Sequence, residues 1–135
     1  MAAIPSAAAH AGIAPEKGVN AIVAAAEGIA AMNIGRIDHE TTSNVGIIRG
    51  GTATNIVCDS VYVEGEARSF CEKKLEDLVK SMVDAMEARV AKRGASVQTK
   101  VQKSYTGFSL KETSPVVQWA TSASSAYLHW RGKRR

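Results

Sequence analysis

The chain has 135 residues, a length that suits one domain able to bury its own core without disulfides or a structural metal. Its formal charge is +4, but four basic residues fall within the last five positions, Arg131 to Arg135, so the body of the chain is formally neutral. That distribution, with only 5% aromatic residues, argues against a nucleic-acid surface. The two cysteines, Cys58 and Cys71, have neither zinc-ribbon nor redox spacing and fit a reduced, cytoplasmic setting. No apolar run approaches the ~20 residues of a membrane span, and Met1 to Ala9 lacks the basic start of a secretion signal.

In chain order, Met1 to Ala9 reads as an irregular stub. It holds Pro5 and five alanines, poor material for a central strand. Pro15 and Glu16 predict a helix start, and Val19, Ile22, Val23, Ala26, Ile29 and Ala30 continue it at helical spacing to a stop at Asn33 and Gly35. Arg36 to Thr42 is a polar connector, Asn44 to Arg49 a short strand, and Gly50 to Ser60 a loop. Val61 to Arg68 alternates: Val61, Val63, Gly65 and Ala67 face one way, Tyr62, Glu64, Glu66 and Arg68 the other, as in a half-buried antiparallel strand.

Ser69 and Glu72 have capping-box spacing. Leu75, Leu78, Val79, Met82, Met86 and Val90 then form the apolar stripe of a second helix, with Glu76 and Lys80 as an i,i+4 pair and Gly94 as its stop. Ser96 to Tyr105 alternates again, with Val97 and Val101 inward. Thr113, Ser114 and Pro115 open a third helix, Val116 to Leu128, with Val116, Trp119, Ala120, Ala123 and Tyr127 on its apolar side. The fold expected is α+β: a ferredoxin-like split β-α-β-β-α-β sandwich with a degenerate or missing first strand, plus a C-terminal helix. Residues 1–9 are the stub, 10–112 the domain, and 113–135 the helix and basic tail.

Four blocks stand in order along most of this length. They are His10-Ala11-Gly12 with Ala14 to Ile22; Gly35 to Asp38 with Glu40 to Thr42 and Asn44 to Gly46; Gly50 to Val57; and Gly65 to Ser69. Together they resemble the dimerisation, or lid, domain of the co-catalytic zinc peptidases, the family of peptidase T, carboxypeptidase G and succinyl-diaminopimelate desuccinylase. The likeness is greatest to the peptidase T-like tripeptidase branch. It implies a parent hydrolase of di- or tripeptides in which another domain carries two zinc ions and the catalytic glutamate. It also implies that this domain pairs with its twin, and the expected contact is an edge strand and the first helix.

Three residues match functional positions. His10 matches a histidine that reaches into the partner subunit's active site to stabilise the developing oxyanion, a role suited to an imidazole N–H. Asn55 and Arg68 match residues that hold the substrate's terminal carboxylate, the arginine by paired hydrogen bonds. Asn55 lies just before the strand of Arg68, so the two are expected to approach one site. Without the blocks, His10 reads as a surface histidine, Asn55 as an Asx-turn residue, and Arg68 as an ion-pair partner of Glu64 or Glu66. The chain shows no cluster matching a zinc site, so it is expected to hydrolyse no peptide alone. The alternative function is a stand-alone homodimeric interaction module without a catalytic role. Neither nucleic acid nor membrane is an expected partner.

Overall fold

A computed structural model describes residues 1–5, 7–105, 107, 108 and 110–132, the last seven as backbone only. Its elements are β1 (Ala2–Pro5), β2 (Ala9–His10), α1 (Ala21–Ala30), β3 (Gly35–Arg36), β4 (Thr42–Gly50), β5 (Ile56–Val57), β6 (Ser60–Arg68), α2 (Glu72–Lys92), β7 (Gln98–Thr99) and α3 (Pro115–Gly132). Five strands form an antiparallel sheet in the order β3-β4-β6-β1-β7, while β2 and β5 pair as a separate ribbon. With the two-residue β3 set aside, the order β4-β6-β1-β7 is that of the split β-α-β-β-α-β sandwich.

The helices cover one sheet face because the alternation of β6 aims Val61 and Val63 at them, beside the fully buried Ile4 of β1. Small residues let α1 come close: its buried face is Ala21, Ala24, Ala25 and Gly28. A Cβ placed on Gly28 would stand 2.3 Å from the Met86 Sδ and 3.3 Å from the Met86 Cα of α2. Leu78, Met86 and Val90 are the buried part of the α2 stripe. At the far end of that helix pair, the Arg93 Nε donates to Glu27 at 3.0 Å.

Local chemistry moves several boundaries from their expected places. The stub expected at the N-terminus contributes β1, paired to β6 from Ala2↔Val63 to Pro5↔Ser60, with Pro5 at the end of the ladder where its missing N–H costs least. Pro15 opens a single 3-10 turn, closed when the Gly18 N–H donates to the Pro15 carbonyl at 3.1 Å. The α-helix begins instead after Asn20, whose side chain accepts the Ile22 and Val23 N–H groups at 3.0 and 3.2 Å.

Ser69 makes no capping box. Its hydroxyl accepts the Cys71 N–H at 3.1 Å and pairs with the Thr41 hydroxyl at 2.9 Å, so Cys71 becomes the residue before α2. Lys80 reaches Asp84 rather than Glu76, at 2.5 Å. Gly94 does end α2, at φ 74°, with the N–H groups of Gly94 and Ala95 returning to the carbonyls of Ala91 and Val90. The loop after β4 contains β5, and of the strand expected over Ser96 to Tyr105 only Gln98–Thr99 pairs. Val97 packs on the core, but Val101 stays 63% exposed. The third helix forms where expected with its apolar side toward solvent, Trp119 being 73% exposed. The side chain of Tyr127 and residues 133–135 of the basic tail lie outside the described residues.

The β3–β4 turn is fastened to α2 by charge. Lys74 bridges Asp38 at 2.9 Å and Glu40 at 2.6 Å, and the Asp38 carboxylate also accepts the Glu40 N–H at 2.9 Å. That N–H and the Lys74 ammonium hold the Asp38 carboxyl well below the usual carboxylate range. Glu40 and Asp38 in turn raise Lys74 above the usual lysine range.

Two predictions follow from this packing and this turn. Gly28→Val is expected to lower stability by about 1–3 kcal/mol through overpacking against Met86; a urea midpoint equal to that of the parent chain would refute the close-approach account. Because the folded Asp38 is depressed, its stabilisation is complete above the ordinary value of 3.8 and is lost as pH falls through the lower folded value. The gap in Tm between the native chain and Asp38→Asn should therefore narrow progressively in acid. A gap constant from neutral pH into strong acid would show that Asp38 acts by something other than its charge.

Candidate functional site

The ribbon of β2 and β5 brings His10 and Asn55 together. His10 pairs with Ile56, and the next N–H, that of Ala11, donates to the Asn55 carbonyl at 2.9 Å. The His10 carbonyl accepts from Ile13 and Ala14 at 3.2 and 3.1 Å, turning the chain away directly after it. The Gly12 N–H donates to the His10 Nδ1 at 3.1 Å. In the neutral imidazole this leaves the proton on Nε2, so the ring offers one N–H donor from an exposed side chain.

Gly18 makes the ribbon's position possible. A Cβ there would stand 2.9 Å from the Ala9 Cβ and 3.0 Å from both the Ala7 carbonyl oxygen and the Val57 Cγ1. The Val19 N–H donates to that same Ala7 carbonyl at 3.0 Å. The Gly18-Val19-Asn20 segment therefore seats the histidine ribbon and caps α1 within three consecutive residues.

Arg68 lies elsewhere. It is the last residue of β6, paired with Thr42, on the sheet face away from the helices. β6 starts near the ribbon at Ser60, and eight steps of strand separate Ser60 from Arg68, about 26 Å. The expectation that Asn55 and Arg68 approach one site within a chain is thus corrected: the extended strand between them holds them at opposite ends of the sheet.

The Arg68 guanidinium is 61% exposed and ion-paired with Glu66 at 2.8 Å. Glu66 raises it further above its already high ordinary value. One carboxylate is thus already on the guanidinium, and a ligand carboxylate would have to compete with it or share the fork. Two steps back on the same face, the Tyr62 hydroxyl donates to Glu64 at 2.7 Å. Of the two ion-pair partners that the alternation of β6 offers Arg68, Glu66 is the one engaged.

No group of three or more His, Cys, Asp or Glu side chains able to hold a metal exists among the described residues. The donor set here does not fit a co-catalytic zinc site, and no catalytic step on such a metal can be derived from this chain. No helix among the described residues is long and apolar enough to cross a membrane.

A family profile described as the peptidase dimerisation domain matches residues 4–94. The uncharacterized protein YqjE of Bacillus subtilis is 44% identical over 124 residues, which are 92% of this chain and 33% of that protein. Among solved structures, aminopeptidase PepT from Bacillus cereus aligns with a TM-score of 0.82 and 45% identity, over 93% of this chain and 34% of its own. A tripeptidase from Staphylococcus aureus aligns with the same TM-score at 38% identity, over the same shares of the two chains. The chain thus spans about a third of the length of the relatives it matches. The ferredoxin-like sandwich and the ordered blocks around His10 and Arg68 agree with these matches: the chain belongs to the peptidase dimerisation domain family, in the company of the PepT tripeptidases.

Proposed function

We propose that this chain is the dimerising and substrate-clamping part of a di- or tripeptide hydrolase, with His10 and Asn55 serving the active site of one subunit and Arg68 that of the other. The observation that carries the reading is the opposite-end placement of these residues along β6. Beyond Ser43 the outer edge of β4 has no strand partner among the described residues. Ile22 of α1 and Ile48 of β4 are exposed beside that edge. Pairing two copies through β4 about a two-fold axis sets the strands antiparallel and doubles the sheet. The Gly50 end of one copy then lies against the Thr42 end of its partner. The axis converts opposite ends into the same end, so one subunit's His10 and Asn55 come to the side of the sheet where the partner carries Arg68.

In that arrangement Arg68 grips the terminal carboxylate of the peptide in competition with Glu66, and Asn55 adds a neutral donor. The His10 Nε2–H points at the oxygen of the scissile carbonyl and stabilises its developing charge. Metal chemistry belongs to a separate domain, with two zinc ions as the expected complement. Cys58 and Cys71 form no disulfide among the described residues, which agrees with a cytoplasmic setting.

Sedimentation at micromolar concentration tests the pairing. The chain is expected to run as a dimer and Ile48→Lys as a monomer; a wild-type monomer would refute the edge-strand interface. In the complete enzyme, His10→Ala and Arg68→Ala are each expected to be nearly inactive. Mixed after dissociation, they should recover about a quarter of native activity, since half the dimers are mixed and each mixed dimer has one intact site. No recovery would place all three residues in one subunit's site. A dimer whose parent enzyme is indifferent to both substitutions would favour the interaction-module reading.

A further inference from the structure

The Arg68 guanidinium carries its own counter-ion on the outer face of the sheet. Its Nη2 donates to the Glu66 Oε2 at 2.8 Å, and both side chains are more than half exposed. Their cross-strand neighbours on β4, Thr42 and Asn44, bear no charge. The other carboxylates around this end of the sheet have partners of their own. Glu64 accepts from the Tyr62 hydroxyl, Asp38 and Glu40 share Lys74, and Glu72 pairs with Lys103. Among these, Glu66 alone depends on the guanidinium that a peptide carboxylate would take.

We propose that Glu66 determines specificity, selecting peptides whose C-terminal residue carries a cationic side chain, lysine or arginine, and disfavouring those that end in aspartate or glutamate. The inference rests on the reading of Arg68 as the clamp for the terminal carboxylate. Charge balance carries it. Without ligand, one guanidinium faces one carboxylate. An arriving carboxylate either displaces Glu66 or shares the guanidinium with it through the N–H groups that Glu66 leaves open. Either way two carboxylates face one cation at close range, and their repulsion weakens the grip. A cationic side chain on the same terminal residue restores the balance, because it is long enough to fold back onto Glu66. An acidic side chain adds a third carboxylate, with Glu64 two steps along the same strand face. A neutral side chain falls between.

The size of the effect follows from the exposure of the pair. Water and salt screen both partners, so a pairing gained or a repulsion avoided is each worth at most about fivefold in affinity. The two together separate a C-terminal lysine from a C-terminal glutamate by about tenfold. Such a term acts on binding before and during the reaction alike, so it belongs in KM and leaves kcat nearly untouched.

The test is the KM of the complete enzyme for Ala-Ala-Lys, Ala-Ala-Ala and Ala-Ala-Glu, in the native form, in Glu66→Gln and in Glu66→Lys. The native KM should be about tenfold lower for Ala-Ala-Lys than for Ala-Ala-Glu, with similar kcat, and the gap should shrink in high salt. Glu66→Gln should reduce it to about twofold, the remainder coming from Glu64. Glu66→Lys should reverse the order by improving on Ala-Ala-Glu, a gain that a misfolded variant could not show. Equal native KM values, or a gap that survives Glu66→Gln, would overturn the proposal. The amide of Ala-Ala-Ala separates this failure from failure of the clamp. An amide cleaved as readily as the free acid removes both readings. A poorly cleaved amide with a gap unchanged in Glu66→Gln removes the Glu66 role alone.

Discussion

The close approach of α1 to its neighbours sets the rest of the structure. With Ala21, Ala24, Ala25 and Gly28 as its buried face, α1 lies against both the sheet and Met86 of α2. Larger residues would lift it away and open the core formed by Ile4, Val61 and Val63. Of the larger apolar residues of α1, Ile29 packs against the core, while Ile22 and Val23 are left exposed. A single packing choice thus yields a tight interior and an apolar exterior. Exposed apolar surface rimmed by polar groups is what an associating protein keeps.

The strand β6 carries the functional geometry. It is paired by β4 from Val61 to Arg68, and the extra residue Gly46 is absorbed as a bulge between Val45 and Ile47. Its inward face is core, and its outward face is a row of Tyr62, Glu64, Glu66 and Arg68 with their own hydrogen bonds. The polar face is therefore organised before any ligand arrives. Glu66 keeps a carboxylate on the Arg68 guanidinium at 2.8 Å.

The regular parts of this fold were legible because their periodicity is strong. The two-residue alternation of Val61 to Arg68 and the stripe from Leu75 to Val90 correspond to β6 and α2 with small shifts at the ends. The errors fell where short-range chemistry competes. Pro15 is a good first helical residue, but Gly18 is needed bare for the ribbon, so the helix waits for Asn20. Ser69 is a good cap, but Thr41 and Cys71 engage it first. β1 looked unsuited to a central strand because residue preferences weigh little against a ready-made ladder on both sides. The motif blocks single out His10, Asn55 and Arg68 as candidates. Their separation is not legible there, because distance along a strand becomes meaningful only when the strand's two ends are placed.

The two ends of that strand also differ in stiffness. Arg68 stands on a ladder continuous with the core, next to Thr42 and the Lys74-fastened turn, where opening requires much of the sheet to open as well. His10 and Asn55 stand on a ribbon of two residue pairs held mainly by its seat on Gly18, the kind of small unit that opens by itself. In the proposed dimer, a molecule held between Arg68 of one copy and His10 of the other would meet a fixed post at one end and a compliant finger at the other. Variation in its length would then be taken up on the histidine side, and tolerance for different chain lengths would be set by how easily a four-residue ribbon flexes.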